Sequence, residues 1–150
     1  MMSCGVVLLA ACNKSSSDDD NNNLSARGKL LVDAKWQVIA NTATLNYMGK
    51  DTTIDLYATT DECDKDDFVI YKSDGTGFID ENTNKCADDG QVENFTWALL
   101  DGDTRLALVD SNPDTVTIIE LTSMQSKISI TKPNSSGVPV TNTLTLKNIK

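Results

Sequence analysis

The side chains able to do chemistry in this chain are cysteines and carboxylates, because the sequence contains no histidine. That removes the commonest general base at neutral pH and the commonest transition-metal ligand. The carboxylates gather in Asp61-Glu62-x-Asp64-x-Asp66-Asp67 and in Asp88-Asp89. Their oxygens suit calcium, but the spacing lacks the Gly-centred alternation of an EF-hand loop, so a solvated acidic loop is expected and no metal site is assigned. Carboxylate pairs also hydrolyse glycosides, yet among 22 acidic residues no pair stands out. No Gly-x-Ser-x-Gly, phosphate-cradling Gly loop or Cys/His pair occurs, so no catalytic residue and no cofactor is expected.

Of the four cysteines, Cys63 and Cys86 flank a stretch that reads as a hairpin, with Ser73-Asp74-Gly75-Thr76-Gly77 as its turn and Phe68, Ile70 and Phe78 as its inward candidates. The turn lies close to midway between the cysteines, which returns both to one rim and favours a Cys63–Cys86 disulfide over free thiols. Zinc, the rival use, would find two thiolates and no histidine, and would need carboxylates to complete its shell.

The other two cysteines lie in a leader-like segment. Val6-Val7-Leu8-Leu9-Ala10-Ala11 is an apolar run too short to span a bilayer but suited to the end of a secretory signal. Leu9-Ala10-Ala11-Cys12 resembles the lipobox of bacterial lipoproteins, which implies removal of residues 1–11, Cys4 included, and acylation of Cys12. No Lys or Arg precedes the run, which leaves room for a start upstream of Met1. Residues 12–29 read as a flexible tether rich in Ser, Asp and Asn, expected to be disordered because it has nothing to bury. The Ser17-Asp18-Asp19-Asp20 cluster resembles the acidic export signal that sends lipoproteins of Bacteroidetes-type bacteria to the outer face of the outer membrane. A merely solvating linker facing the periplasm is the alternative.

The 150-residue chain allows one domain, assigned to residues 30–150, and an export route fits an even cysteine pair. The net charge is -9 and the basic residues are scattered singly, so nucleic acid is not an expected partner. Leu30 and Leu31 are placed to plug one end of a core from a short helical turn. From Lys35 the apolar period becomes two, with Trp36, Val38 and Ala40 on one face. Further strands are expected at Thr52 to Tyr57, Val92 to Leu100, Thr104 to Asp110, Thr115 to Leu121, Gln125 to Thr131 and Thr143 to Ile149. Phe95, Trp97, Leu99, Leu106, Leu108, Val116, Ile118, Ile128, Ile130, Leu144 and Leu146 share the inward parity. Ile119 and Leu121 break it, which requires either two covered faces or a bulge. Eight or nine short strands with tight turns predict an all-β, antiparallel up-and-down barrel of about eight strands, since closure removes exposed edges.

Trp36, Cys63-x-x-Asp66-Asp67-Phe68, Asp74-Gly75-Thr76, Cys86, Trp97, Leu106-x-Leu108, and Ile119 with Leu121-Thr122 together resemble the lipocalin-like domain of lipoproteins from Bacteroidetes-type bacteria. Ala34 stands where lipocalins open with the Gly of Gly-x-Trp. The resemblance implies a calycin-like barrel and carries no binding residue with it. Trp36, Phe68, Phe78 and Trp97 are the candidates to line the barrel. The expected role is a surface-anchored, non-enzymatic module that meets the membrane through its lipid and binds a small hydrophobic or amphipathic ligand. A structural or protein-inhibitory module and a glycan-acting hydrolase are the alternatives, and no protein partner is assigned.

Overall fold

The computed structural model describes residues 24–87 and 90–150, so the expectations for Cys4, Cys12, the Ser17 to Asp20 cluster and Asp88-Asp89 fall outside the described residues. A short helix, α1 (Ala26–Val32), precedes nine strands: β1 (Trp36–Tyr47), β2 (Lys50–Asp55), β3 (Phe68–Tyr71), β4 (Thr76–Asp80), β5 (Val92–Leu100), β6 (Arg105–Val109), β7 (Asp114–Leu121), β8 (Gln125–Pro133) and β9 (Pro139–Asn148). From β3 onward each strand pairs antiparallel with the next, and β1 pairs with β9 from Trp36↔Asn148 to Leu45↔Val140. β1 and β3–β9 thereby close an eight-stranded barrel. β2 folds back on the distal half of β1, over Thr42 to Tyr47, and is exposed along its length.

Helix α1 starts where Ser25 accepts a hydrogen bond from the Gly28 amide at 3.0 Å, satisfying one of the free amides of the first turn. It seals one end of the barrel with Leu31, which is buried, while Leu24 and Val32 pack against the core. The folded part therefore begins ahead of residue 30, inside the stretch assigned to the tether. Trp36 is fully buried and its Nε1 donates to the Leu31 carbonyl at 3.0 Å, so the plug and the first strand are joined by a hydrogen bond as well as by packing.

From β5 to β9 the alternation places the expected residues inward: Phe95, Trp97, Leu106, Val116, Ile118, Ile128 and Leu146 are buried, and Leu99, Leu108, Ile130 and Leu144 pack against them. The parity break in β7 is a bulge between Ile118 and Glu120, which leaves Ile119 exposed and brings Leu121 to the core. A second bulge, between Val38 and Ala40 of β1, was not foreseen. It moves Ala40 off the inward parity and puts Ala43, which is buried, on it instead.

The hairpin β3–β4 corrects the sequence expectation. Val69, Tyr71 and Ile79 face inward, whereas Phe68, Ile70 and Phe78 lie on the opposite face. The register decides this: Trp36 pairs with Val69, and Tyr71 pairs with Gly77, which pairs in turn with Phe95. Gly77 is required there, since a Cβ would overlap the Phe95 ring and come 2.7 Å from the Ile70 carbonyl oxygen. Phe68 and Phe78 form an edge-on pair with centroids 6.4 Å apart, and Lys35 Nζ sits 3.5 Å from the centre of the Phe68 ring. Two cationic stems thus shield outward aromatics, since Lys72 likewise lies over Phe78.

Cys63 and Cys86 are bonded, with Cα atoms 5.2 Å apart, and they join the β2–β3 connection to the β4–β5 connection. The loop they close spans 23 positions, and constraining such a loop in the unfolded chain is worth about 3 kcal/mol. Reducing the bond, or replacing both cysteines by Ser, is expected to lower the unfolding free energy by about that amount in urea titrations. Coincident oxidised and reduced midpoints would show that the clasp adds no stability.

Candidate functional site

The interior of the barrel divides into two halves of different chemistry. At the α1 end it is packed with aromatic rings. Tyr71 meets Phe95 and Trp97 edge-on, each with centroids 5.5 Å away. Trp97 Nε1 donates to the carbonyls of Lys72 and Thr76 at 3.1 and 3.0 Å, tying the cluster to the β3–β4 turn. Above these rings a cavity of about 270 Å³ remains. Tyr71 and Phe95 form part of its lining, with Val38, Val69, Ile79, Leu108, Ile128, Leu144 and Leu146 around them and Asp64, Asp67 and Asp110 as its polar members.

The cavity exists because of side-chain size. Strands β6, β8 and β9 and the start of β1 present Leu, Ile and Val at this level, and of the aromatic cluster only Tyr71 and Phe95 reach it. Eight strands leave an interior that either packs shut or holds one small ligand, and here each half takes one of those outcomes.

The carboxylates arrive through a break in the wall. On the β3 side, β1 has strand partners at Trp36 and again from Thr42, and none between. The segment 56–67 covers that interval: the Leu56 amide donates to the Asn41 carbonyl at 2.9 Å, and Gln37 Nε2 donates to the Lys65 carbonyl at 3.0 Å. Two further features hold the segment in place. The disulfide fixes Cys63, and Asp66 Oδ2 accepts from the Thr83 amide, the Thr83 hydroxyl and, at 3.1 Å, the Asn84 amide. Asp64 and Asp67 are thereby presented to the cavity, while Asp110, at the end of β6, comes from across the barrel and also accepts from the Asn112 amide at 2.6 Å.

One oxygen from each of Asp64, Asp67 and Glu81 lies within 4.8 Å of the others. Among the described residues the ion pairs are Lys65–Glu62, Arg105–Asp101 and Lys132–Asp114, so no described lysine or arginine neutralises Asp64, Glu81 or Asp110. Of the acidic residues singled out in the sequence, Asp64 and Asp67 line the cavity, whereas Asp61 does not, Asp66 binds Thr83 and Asn84, and Glu62 pairs with Lys65. The thiols are consumed by the disulfide and offer a metal nothing.

The profile of the lipocalin-like domain matches residues 32–130. The chain belongs to that family. No curated protein matches the sequence. The lipocalin-like fold is generally a binding fold rather than a catalytic one, and the match runs from the end of α1 into β8, so it includes both segments that carry the rim carboxylates.

Of the four aromatics expected to line this lipocalin-like barrel, two face its interior and two do not. Trp36 and Trp97 are inside but enclosed by the packed half, and Phe68 and Phe78 are outside. The aromatics that do line the cavity are Tyr71, which the assumed parity of β3 had turned outward, and Phe95. Gly77 was the available clue, since an isolated glycine within a strand marks a close approach, here by the Phe95 ring.

Burial raises the pKa of the Tyr71 phenol well above the tyrosine range, because the phenolate would lose its hydration. A raised acid pKa means that the folded state keeps its proton where the unfolded chain has released it. The stabilising difference is thus fully present below about pH 10 and is lost as pH climbs beyond that value. Urea midpoints should fall above pH 10, and Tyr71→Phe should flatten that part of the profile by about 1.4 kcal/mol per pH unit. Parallel profiles for the two proteins would show that Tyr71 titrates normally.

Proposed function

We propose that this protein is a lipid-anchored binding module whose barrel holds one small apolar or amphipathic molecule. The observation that carries the reading is the cavity of about 270 Å³, enclosed mostly by Val, Ile, Leu and aromatic side chains. Ligand sites are commonly concave and mainly apolar, with a few polar groups that set orientation, and this volume is near the small end of their range. Membership of the lipocalin-like family supports the same role. The alternatives fit less well. A purely structural or protein-inhibitory barrel has no use for interior space, and a glycan-acting hydrolase needs a polar cleft for sugar hydroxyls.

The test is binding of a neutral, polarity-sensitive dye such as N-phenylnaphthylamine. Its fluorescence should rise and saturate with the native chain. Leu144→Trp, which fills the cavity from β9, should abolish the rise while leaving the circular dichroism of the barrel unchanged. An unaltered titration of that variant would place the dye elsewhere and remove the support for an interior site.

Attachment at Cys12 is the second part of the proposal. It rests on Leu9-Ala10-Ala11-Cys12 ahead of a polar run that suits a tether, and on Ser17-Asp18-Asp19-Asp20 for an address on the outer face of the outer membrane. One acyl chain holds a protein only marginally, whereas several hold it firmly. Cys12→Ser should therefore move the protein from the membrane to the soluble fraction. Unchanged fractionation with a mass lacking lipid would count against the anchor.

A further inference from the structure

The cavity carries a charge pattern that narrows the ligand class. Resting on the interior binding site proposed above, we infer that its ligand is a small organic cation, an amine whose hydrocarbon part fills the cavity and whose ammonium group sits among Asp64, Asp67 and Asp110. Every other lining side chain is aliphatic or aromatic, so all the formal charge facing the cavity is of one sign. The negative groups come from two separate parts of the chain, residues 64–67 and the end of β6, which the barrel brings to one cavity. Among the described residues no lysine or arginine forms an ion pair with Asp64 or Asp110, so their charge remains available to an incoming cation.

Position strengthens the pattern. The disulfide and the hydrogen bonds to Asp66 hold the 56–67 segment against the β4–β5 connection, so Asp64 and Asp67 are oriented before anything binds. Asp64 and Asp110 are exposed at the rim and Asp67 is half-buried, so the attraction on an ammonium acts across the solvated mouth of the cavity and is screened by salt. The same groups repel a fatty acid of equal length and give an alcohol no charge to answer theirs. The overall charge of -9 acts in the same direction by drawing cations toward the protein.

Calorimetry of the full chain with octylamine, octanol and octanoate separates apolar fit from charge, because the three share one hydrocarbon body. Octylamine is expected to bind about tenfold more tightly than octanol, equivalent to about 1.4 kcal/mol, and octanoate more weakly than either. Raising the salt to about 0.5 M should shrink the preference. The double variant Asp64→Asn, Asp110→Asn should bring octylamine and octanol together, and asparagine keeps a side-chain oxygen to accept from the Asn112 amide. Equal binding of amine and alcohol by the native chain, or tightest binding of octanoate, overturns the cation while leaving the interior site in place. An amine preference undiminished in the double variant overturns the placement of the ammonium. If none of the three binds, the interior site itself fails.

Discussion

The pairing of β1 with β9 is the constraint from which the other features follow. It joins Trp36 to Asn148 and Leu45 to Val140, so the two ends of the domain meet along one ladder. Without it the sheet would have two long edges and its apolar face would be open to water. Closure fixes which face is inside for all eight barrel strands. It also requires curvature, and the bulge at Val38/Ala40 lies within this ladder. The bulge shifts the parity of β1, placing Trp36 at the α1 end and Ala43 further along on the same interior.

Closure on one side of β1 leaves the other side short of partners. β2 and β3 divide that edge between them and leave a gap, and the 56–67 segment spans it with two hydrogen bonds in place of a ladder. A segment held so lightly would be free to move, and the disulfide with the Asp66 contacts supplies what the ladder does not. The cysteine clasp and the acidic groups at the cavity are in this sense one structure: the clasp fixes the same segment that carries the charge.

Much of the barrel was legible in the sequence where a strand is apolar on one side only. β5, β6, β8 and β9 alternate Phe95, Trp97, Leu106, Leu108, Ile128, Ile130, Leu144 and Leu146 against mainly polar neighbours, and each faces as its parity dictates. Phe68-Val69-Ile70-Tyr71 offers no such contrast, because both faces are apolar and only the pairing of Val69 with Trp36 chooses between them. The disulfide was readable by counting, since two cysteines flank one hairpin. The carboxylates at the cavity were not. Asp64 and Asp67 sit among neighbours of the same charge, and Asp110 lies far along the chain, so their meeting depends on the closed barrel and on no local pattern.

The unfilled half of the interior is the least expected feature energetically. Filling apolar interior space adds stability, because lining side chains then gain contacts that they otherwise lack. Larger side chains at Val38, Leu108 or Leu144 could fill the space at no evident loss to the strands that carry them. Instead the aromatic residues pack the half nearest α1, where Trp36 and Trp97 are fixed by hydrogen bonds, and the shorter side chains line the half that receives the carboxylates. A barrel selected for stability alone would fill both halves. One half is packed and the other is open, with Asp64, Asp67 and Asp110 at the open one, and that division is what the proposed binding role requires.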